Sequence, residues 1–126
     1  MKRIFISLLL AVLVGSVTAL ELGYIGSRAD SYTARIQAVD AQLQNGSPAA
    51  AAAQCRALER DWEHDAAAFH ALLIHDYADS IGSSISKMRV HLEHNHPGLY
   101  FAESADAKKG LASIKGSEYP LFENIL

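Results

Sequence analysis

Two hydrophobic patterns divide the chain. Ile4–Leu20 is a run of apolar and small residues without a single charge, and its polarity shows no helical period. From Ile25 the apolar positions become regular. Ile25, Ala29, Tyr32, Ile36, Val39 and Leu43 alternate spacings of four and three, which puts them on one stripe of an α-helix. Arg28, Asp30, Arg35 and Asp40 fall off that stripe. Gly23 and Gly26 make a joint between the two patterns plausible.

The punctuation that follows predicts an antiparallel helical assembly. In Asn45-Gly46-Ser47-Pro48, Gly46 can take the left-handed conformation after a helix end. Ser47 can cap the next helix, and Pro48 suits its first turn. So tight a connection forces a hairpin. The second helix presents Cys55, Leu58, Trp62, Ala66, Phe69 and Leu73 on one face, with Trp62 and Phe69 as its core anchors. A break is expected at Ile74-His75-Asp76, where Asp76 can cap a third helix and Asp79 is favoured by its dipole. That helix buries Tyr77, Ile81, Ile85, Met88 and Leu92, and Gly82 weakens it locally. His94-Asn95-His96-Pro97-Gly98 leads into a fourth, with Tyr100, Ala107, Leu111 and Ile114 inward and Gly116 as its stop. No strand-like alternation appears. The fold class is therefore all-α, an N-terminal transmembrane or signal helix followed by a bundle of three to four helices. A pair of hairpins is compatible with the spacing, but no period is strong enough to define a repeat protein.

The chain divides into an N-terminal segment, 1–24, and a helical domain, 25–126, with an apolar tail. Lys2 and Arg3 precede the charge-free run, which as a helix spans about 25 Å against a hydrocarbon core of roughly 30 Å. Positive residues stay on the cytoplasmic side, so a lipid bilayer crossed by Ile4–Leu20 places the domain outside the cytoplasm. Val17-Thr18-Ala19 also resembles a signal-peptidase site, and cleavage after Ala19 would release the same domain into the periplasm or medium. A buried cytosolic helix fits the pattern poorly.

Charge sharpens the picture. The net charge is −3, yet without Lys2 and Arg3 nine basic residues face fourteen acidic ones. An acidic domain lacking a basic stripe excludes nucleic acid as a partner. Cys55 is the only cysteine, so no internal disulfide forms, and its position beside Leu58 suits a small buried residue.

Trp62, the segment His75-Asp76-Tyr77-Ala78-Asp79-Ser80-Ile81 and the terminal Asn124-Ile125-Leu126 together resemble the bacterial domain-of-unknown-function family numbered 4363. The resemblance implies a short hydrophobic N-terminal helix, about a hundred helical residues and an uncleaved anchor. It implies no activity, cofactor or ligand. The chain departs from the pattern in its alanine content and at Tyr77-Ala78, where a more polar or aliphatic pair is usual.

Six histidines are the only sign of chemistry. His91 and His94 share a helix face, and His96 can turn back from the loop, a set able to hold zinc or copper. The simpler reading is a polar helix end whose histidines interact with the dipole. His75 and Asp79 lie one turn apart and form a possible pH-sensitive pair, though helix capping through Asp76 and Asp79 explains the same residues. His64, His70 and the serines at 80, 83, 84 and 86 sit in no catalytic motif, so no enzyme and no cofactor is expected. Two functions remain. One is an envelope interaction module using the apolar end Leu121, Phe122, Ile125 and Leu126 towards another envelope protein. The alternative is a metal-binding or metal- and pH-sensing protein built on the histidines.

Overall fold

The computed structural model describes residues 1–72 and 75–118, the side chains of residues 22, 70–72, 75, 76, 117 and 118 excepted. They form four helices: α1 (Lys2–Gln44), α2 (Pro48–Leu72), α3 (His75–Glu93) and α4 (Pro97–Glu118). No strand occurs among the described residues, and the all-α expectation holds. α1 packs on α2 and α4, and α3 packs on the same two, while among the described residues neither diagonal pair approaches closely at the backbone. This is an up-down-up-down bundle closed by short loops.

The apolar stripe of α1 explains its place. Ile25, Ala29, Tyr32, Ile36 and Val39 are buried, with Leu43 packed against them. Gly23 and Gly26 make no joint, and α1 continues through them as one helix of 43 residues, roughly 65 Å long at 1.5 Å per residue. A helix-interior glycine costs about 1 kcal/mol, which weakens the ladder of hydrogen bonds without opening it.

Both hairpin turns use the same device. After α1, the Gly46 amide donates to the Leu43 carbonyl and the Ser47 amide to the Gln42 carbonyl, with Gly46 at φ +80°. After α3, the Asn95 amide donates to Leu92 and the His96 amide to His91, with Asn95 at φ +57°. These are Schellman turns, each followed by a proline opening the next helix. Asparagine is the residue that most readily replaces glycine in the left-handed conformation.

The two turns expose a register that spans both hairpins. At the fixed offset separating Pro48 from Pro97, Ala29-Asp30-Ser31 matches Ala78-Asp79-Ser80, Ile36 matches Ile85, and Leu43 matches Leu92. The buried positions correspond as well, with Ala51, Cys55, Leu58 and Trp62 answering to Tyr100, Ser104, Ala107 and Leu111. The bundle therefore has an internal pseudo-twofold axis that exchanges α1 with α3 and α2 with α4.

That register corrects several sequence expectations. Ala78 occupies the place of Ala29 and is buried, so Tyr77 is turned outward and exposed. α3 begins at His75, which puts Asp76 inside its first turn, and α4 continues past Gly116 to Glu118. Trp62 and Phe69 are buried as expected, stacked at 5.0 Å, with Tyr32 edge-on to the indole at 5.1 Å. Gly82 serves close packing: a Cβ there would stand 3.0 Å from Trp62 Nε1. Leu73 and the apolar tail lie outside the described residues.

Gly110 is tighter still, because an added Cβ would lie 2.7 Å from Cγ1 of the buried Ile81. Gly110→Ala gains helix propensity of about 1 kcal/mol but forces overpacking that costs about 1–3 kcal/mol. The expected net result is a loss of up to about 2 kcal/mol in denaturant unfolding. A gain in stability would show that α3 and α4 can move apart at no cost.

Candidate functional site

The first half of α1 stands clear of the bundle. Every large side chain from Ile4 to Leu20 is exposed, from 48% at Val17 to 75% at Ile4 and Leu20. The mean hydropathy of its most apolar window is 2.3, long and apolar enough to cross a membrane. The three hydroxyls in this run are satisfied internally: Ser7 donates to the Arg3 carbonyl, Ser16 to Val12 and Thr18 to Val14, at 2.8–2.9 Å. Hydroxyls bonded back to their own helix leave no side-chain donor in need of water. Just beyond, the Arg28 guanidinium lies 5.5 Å from the ring centre of the half-exposed Tyr24, a pair suited to an interface.

Inside the bundle, Asp40 organises a polar network that the sequence pattern did not reveal. It is 9% exposed, and its Oδ1 accepts from Tyr100 Oη and Ser104 Oγ, both at 2.7 Å. Lys108 Nζ donates to Oδ2 at 2.8 Å. Burial and the Asp40 hydrogen bond push the Tyr100 hydroxyl pKa above its ordinary value. The pseudo-twofold partner of this Asp40–Lys108 pair is Arg89 with Glu59, where Arg89 Nε donates to Glu59. The two pairs occupy equivalent places with the charges reversed, so α1 and α4 are joined as α3 and α2 are. Asp65 is a third point, accepting from Tyr32 Oη at 2.6 Å. That bond, then those of His64 and the charge of Arg28, hold its carboxyl below the usual range.

The histidines do not converge. Among the described residues no three His, Cys, Asp or Glu side chains stand together to hold a metal ion. His91, His94 and His96 are spread along the Schellman turn, and His94 Nδ1 lies 2.8 Å from the Val90 carbonyl oxygen. His91 and His96 share only a shallow depression with Leu43, Pro48 and Pro97. His64 is exposed beside Asp65. Asp79 lies on the exposed side of α3, whereas the side chains of His70, His75 and Asp76, and all of Leu121, Phe122, Ile125 and Leu126, lie outside the described residues. Cys55 is fully buried, which pushes its thiol pKa up to about 12. A thiol so protonated is neither a nucleophile nor a metal ligand at neutral pH.

The outer faces of the two hairpins differ. On α1–α2, Arg35 reaches Asp61 at 2.8 Å and leaves a smaller groove of about 260 Å³, lined also by Ala38, Gln54 and Ala57. The positions equivalent to Arg35 and Asp61 on α3–α4 are Ser84 and Gly110. Small residues there open a groove of about 410 Å³, lined also by Lys87, Glu103, Asp106 and Lys109. Ser84 is 7% exposed, and its hydroxyl has no hydrogen-bond partner among the described residues. None of the four charged groups is ion-paired there either. The only sequence signal for this site was an unfavourable one, serines and a glycine in helix interiors.

Neither a curated protein nor a solved structure matches the chain. The sequence model of one family does, over residues 20–125, and that span takes in both hairpins and the register that relates them. This chain belongs to the DUF4363 family, a domain of unknown function.

Proposed function

We propose that the protein is a membrane-tethered interaction module that holds a four-helix bundle against the outer face of a cell membrane. One observation carries this reading. α1 is a single helix whose first part bares apolar side chains in every direction and whose second part forms one side of the bundle. Only residues 21–24 separate Leu20 from the buried Ile25, about 6 Å of helix. A flexible linker would let a domain explore space around its anchor, whereas an uninterrupted helix fixes its height and orientation. Lys2 and Arg3 favour a cytoplasmic N-terminus and an extracytoplasmic bundle. Signal cleavage after Ala19 would leave every buried position in place, so it remains the competing outcome of the test. Metal or pH sensing through His91, His94 and His96 has no comparable support, because those side chains do not gather.

The test is the intact mass of the chain recovered from membrane and soluble extracytoplasmic fractions. A full-length mass that resists alkaline carbonate extraction is the expected result. A soluble product beginning near Leu20 would sink the tethered reading.

A further inference from the structure

We infer that the groove between α3 and α4 is the face through which two copies of this chain pair side by side. The inference rests on the tethered reading, which gives both copies the same orientation. A symmetric pair in one membrane must then have its twofold axis along the membrane normal, parallel to the bundle. Under that symmetry, α3 of one copy meets α4 of the other at equal height above the bilayer.

Heights follow from the helix geometry. Gly110 stands level with Ile81, since an added Cβ would touch that side chain. Counting from this level at 1.5 Å per residue, Lys87 is about 9 Å higher, while Asp106 and Glu103 are about 6 and 10 Å higher. Lys87 of one copy therefore faces both carboxylates of the other, and the twofold repeats the match. Lys109 lies near the common level, opposite Ser80 and Ser83 of the other copy. The face is thus self-complementary, with Lys87 of each copy set against two anions of the other.

Ser84, 7% exposed, lines the floor of the groove with a hydroxyl that still reaches solvent. The equivalent groove of the other hairpin is smaller, about 260 Å³, and carries Ala38, Gln54 and Ala57 where this one has Lys87, Glu103 and Asp106, so the charges are specific to α3–α4. Two helices of 19 and 22 residues offer a face of roughly 30 by 20 Å, or about 600 Å² in each copy. That is a modest interface, at the lower limit for a specific complex. Tethering both copies to one membrane raises their effective concentration and favours an interface of this size.

The experiment is sedimentation equilibrium of the full-length protein in detergent micelles, followed by charge reversal. A dimer is expected. Lys87→Glu should weaken it about a hundredfold by setting three carboxylates together. Glu103→Lys with Asp106→Lys should do the same, and all three changes combined should restore the dimer. These side chains have no ion-pair partners among the described residues, so circular dichroism should show the helices unchanged throughout. A monomer at every concentration would overturn the inference. So would a dimer indifferent to both reversals, which would place the contact elsewhere, including the membrane segment. Neither result bears on membrane retention, which fractionation reads separately.

Discussion

Asp40→Ala is expected to destabilise the bundle by about 3–5 kcal/mol, the cost of breaking a buried ion pair by removing one partner. The size follows from what is left behind. Tyr100 and Ser104 are fully buried, and both hydroxyls lose their acceptor together with the Lys108 ammonium. Lys108 can turn towards water, being about a third exposed, whereas the two hydroxyls cannot. A domain of this size has about 5–15 kcal/mol in total, so the variant should melt far below the parent. Asp40→Asn keeps an acceptor in place and should lose less. Urea unfolding of the two variants beside Lys108→Met would separate the acceptor from the charge. A cost below about 1 kcal/mol for Asp40→Ala would mean that water enters and replaces the carboxylate.

Trp62→Ala should cost about as much, 3–5 kcal/mol by the usual range for deleting a large core aromatic. Trp62 joins three helices: it stacks on Phe69 of its own helix, meets Tyr32 of α1 edge-on, and abuts Gly82 of α3. Its loss leaves a cavity that the neighbours cannot collapse into, because Tyr32 is held by its bond to Asp65. Trp62→Phe retains part of the stack and should fall between the two. Thermal unfolding followed at the helical circular dichroism band would rank them. An alanine variant within 1 kcal/mol of the parent would show that the aromatic group packs loosely.

The family and the fold were legible for different reasons. Trp62 and the segment from His75 to Ile81 carry the resemblance directly, and the family match over residues 20–125 agrees with it. Helix number, hairpin turns and nearly all core positions followed from spacing, because a helix turns by the same angle wherever it occurs. The start of α3 was placed two positions late, with Asp76 as its cap, and the inward residue beside it one position early. Tyr77 and Ala78 both fit an apolar period, and only packing against α2 and α4 chose the smaller one.

By itself the sequence determined local matters: four helices, the left-handed turn at Gly46, a charge-free segment able to span a bilayer, and one buried cysteine. These depend on residues within a few positions of each other. The tertiary structure alone decided which polar groups meet. Asp40 lies more than fifty residues from Tyr100, Ser104 and Lys108, and nothing near Asp40 in the chain distinguishes it from a solvated surface carboxylate. The same holds for the α3–α4 groove, since Ser84 and Gly110 are ordinary small residues until the folding of the hairpin sets them face to face. The pseudo-twofold register stands between these cases. It is written in the sequence, but packing conserves shape and periodicity far more strictly than residue identity, so it became visible only when the two hairpins stood side by side.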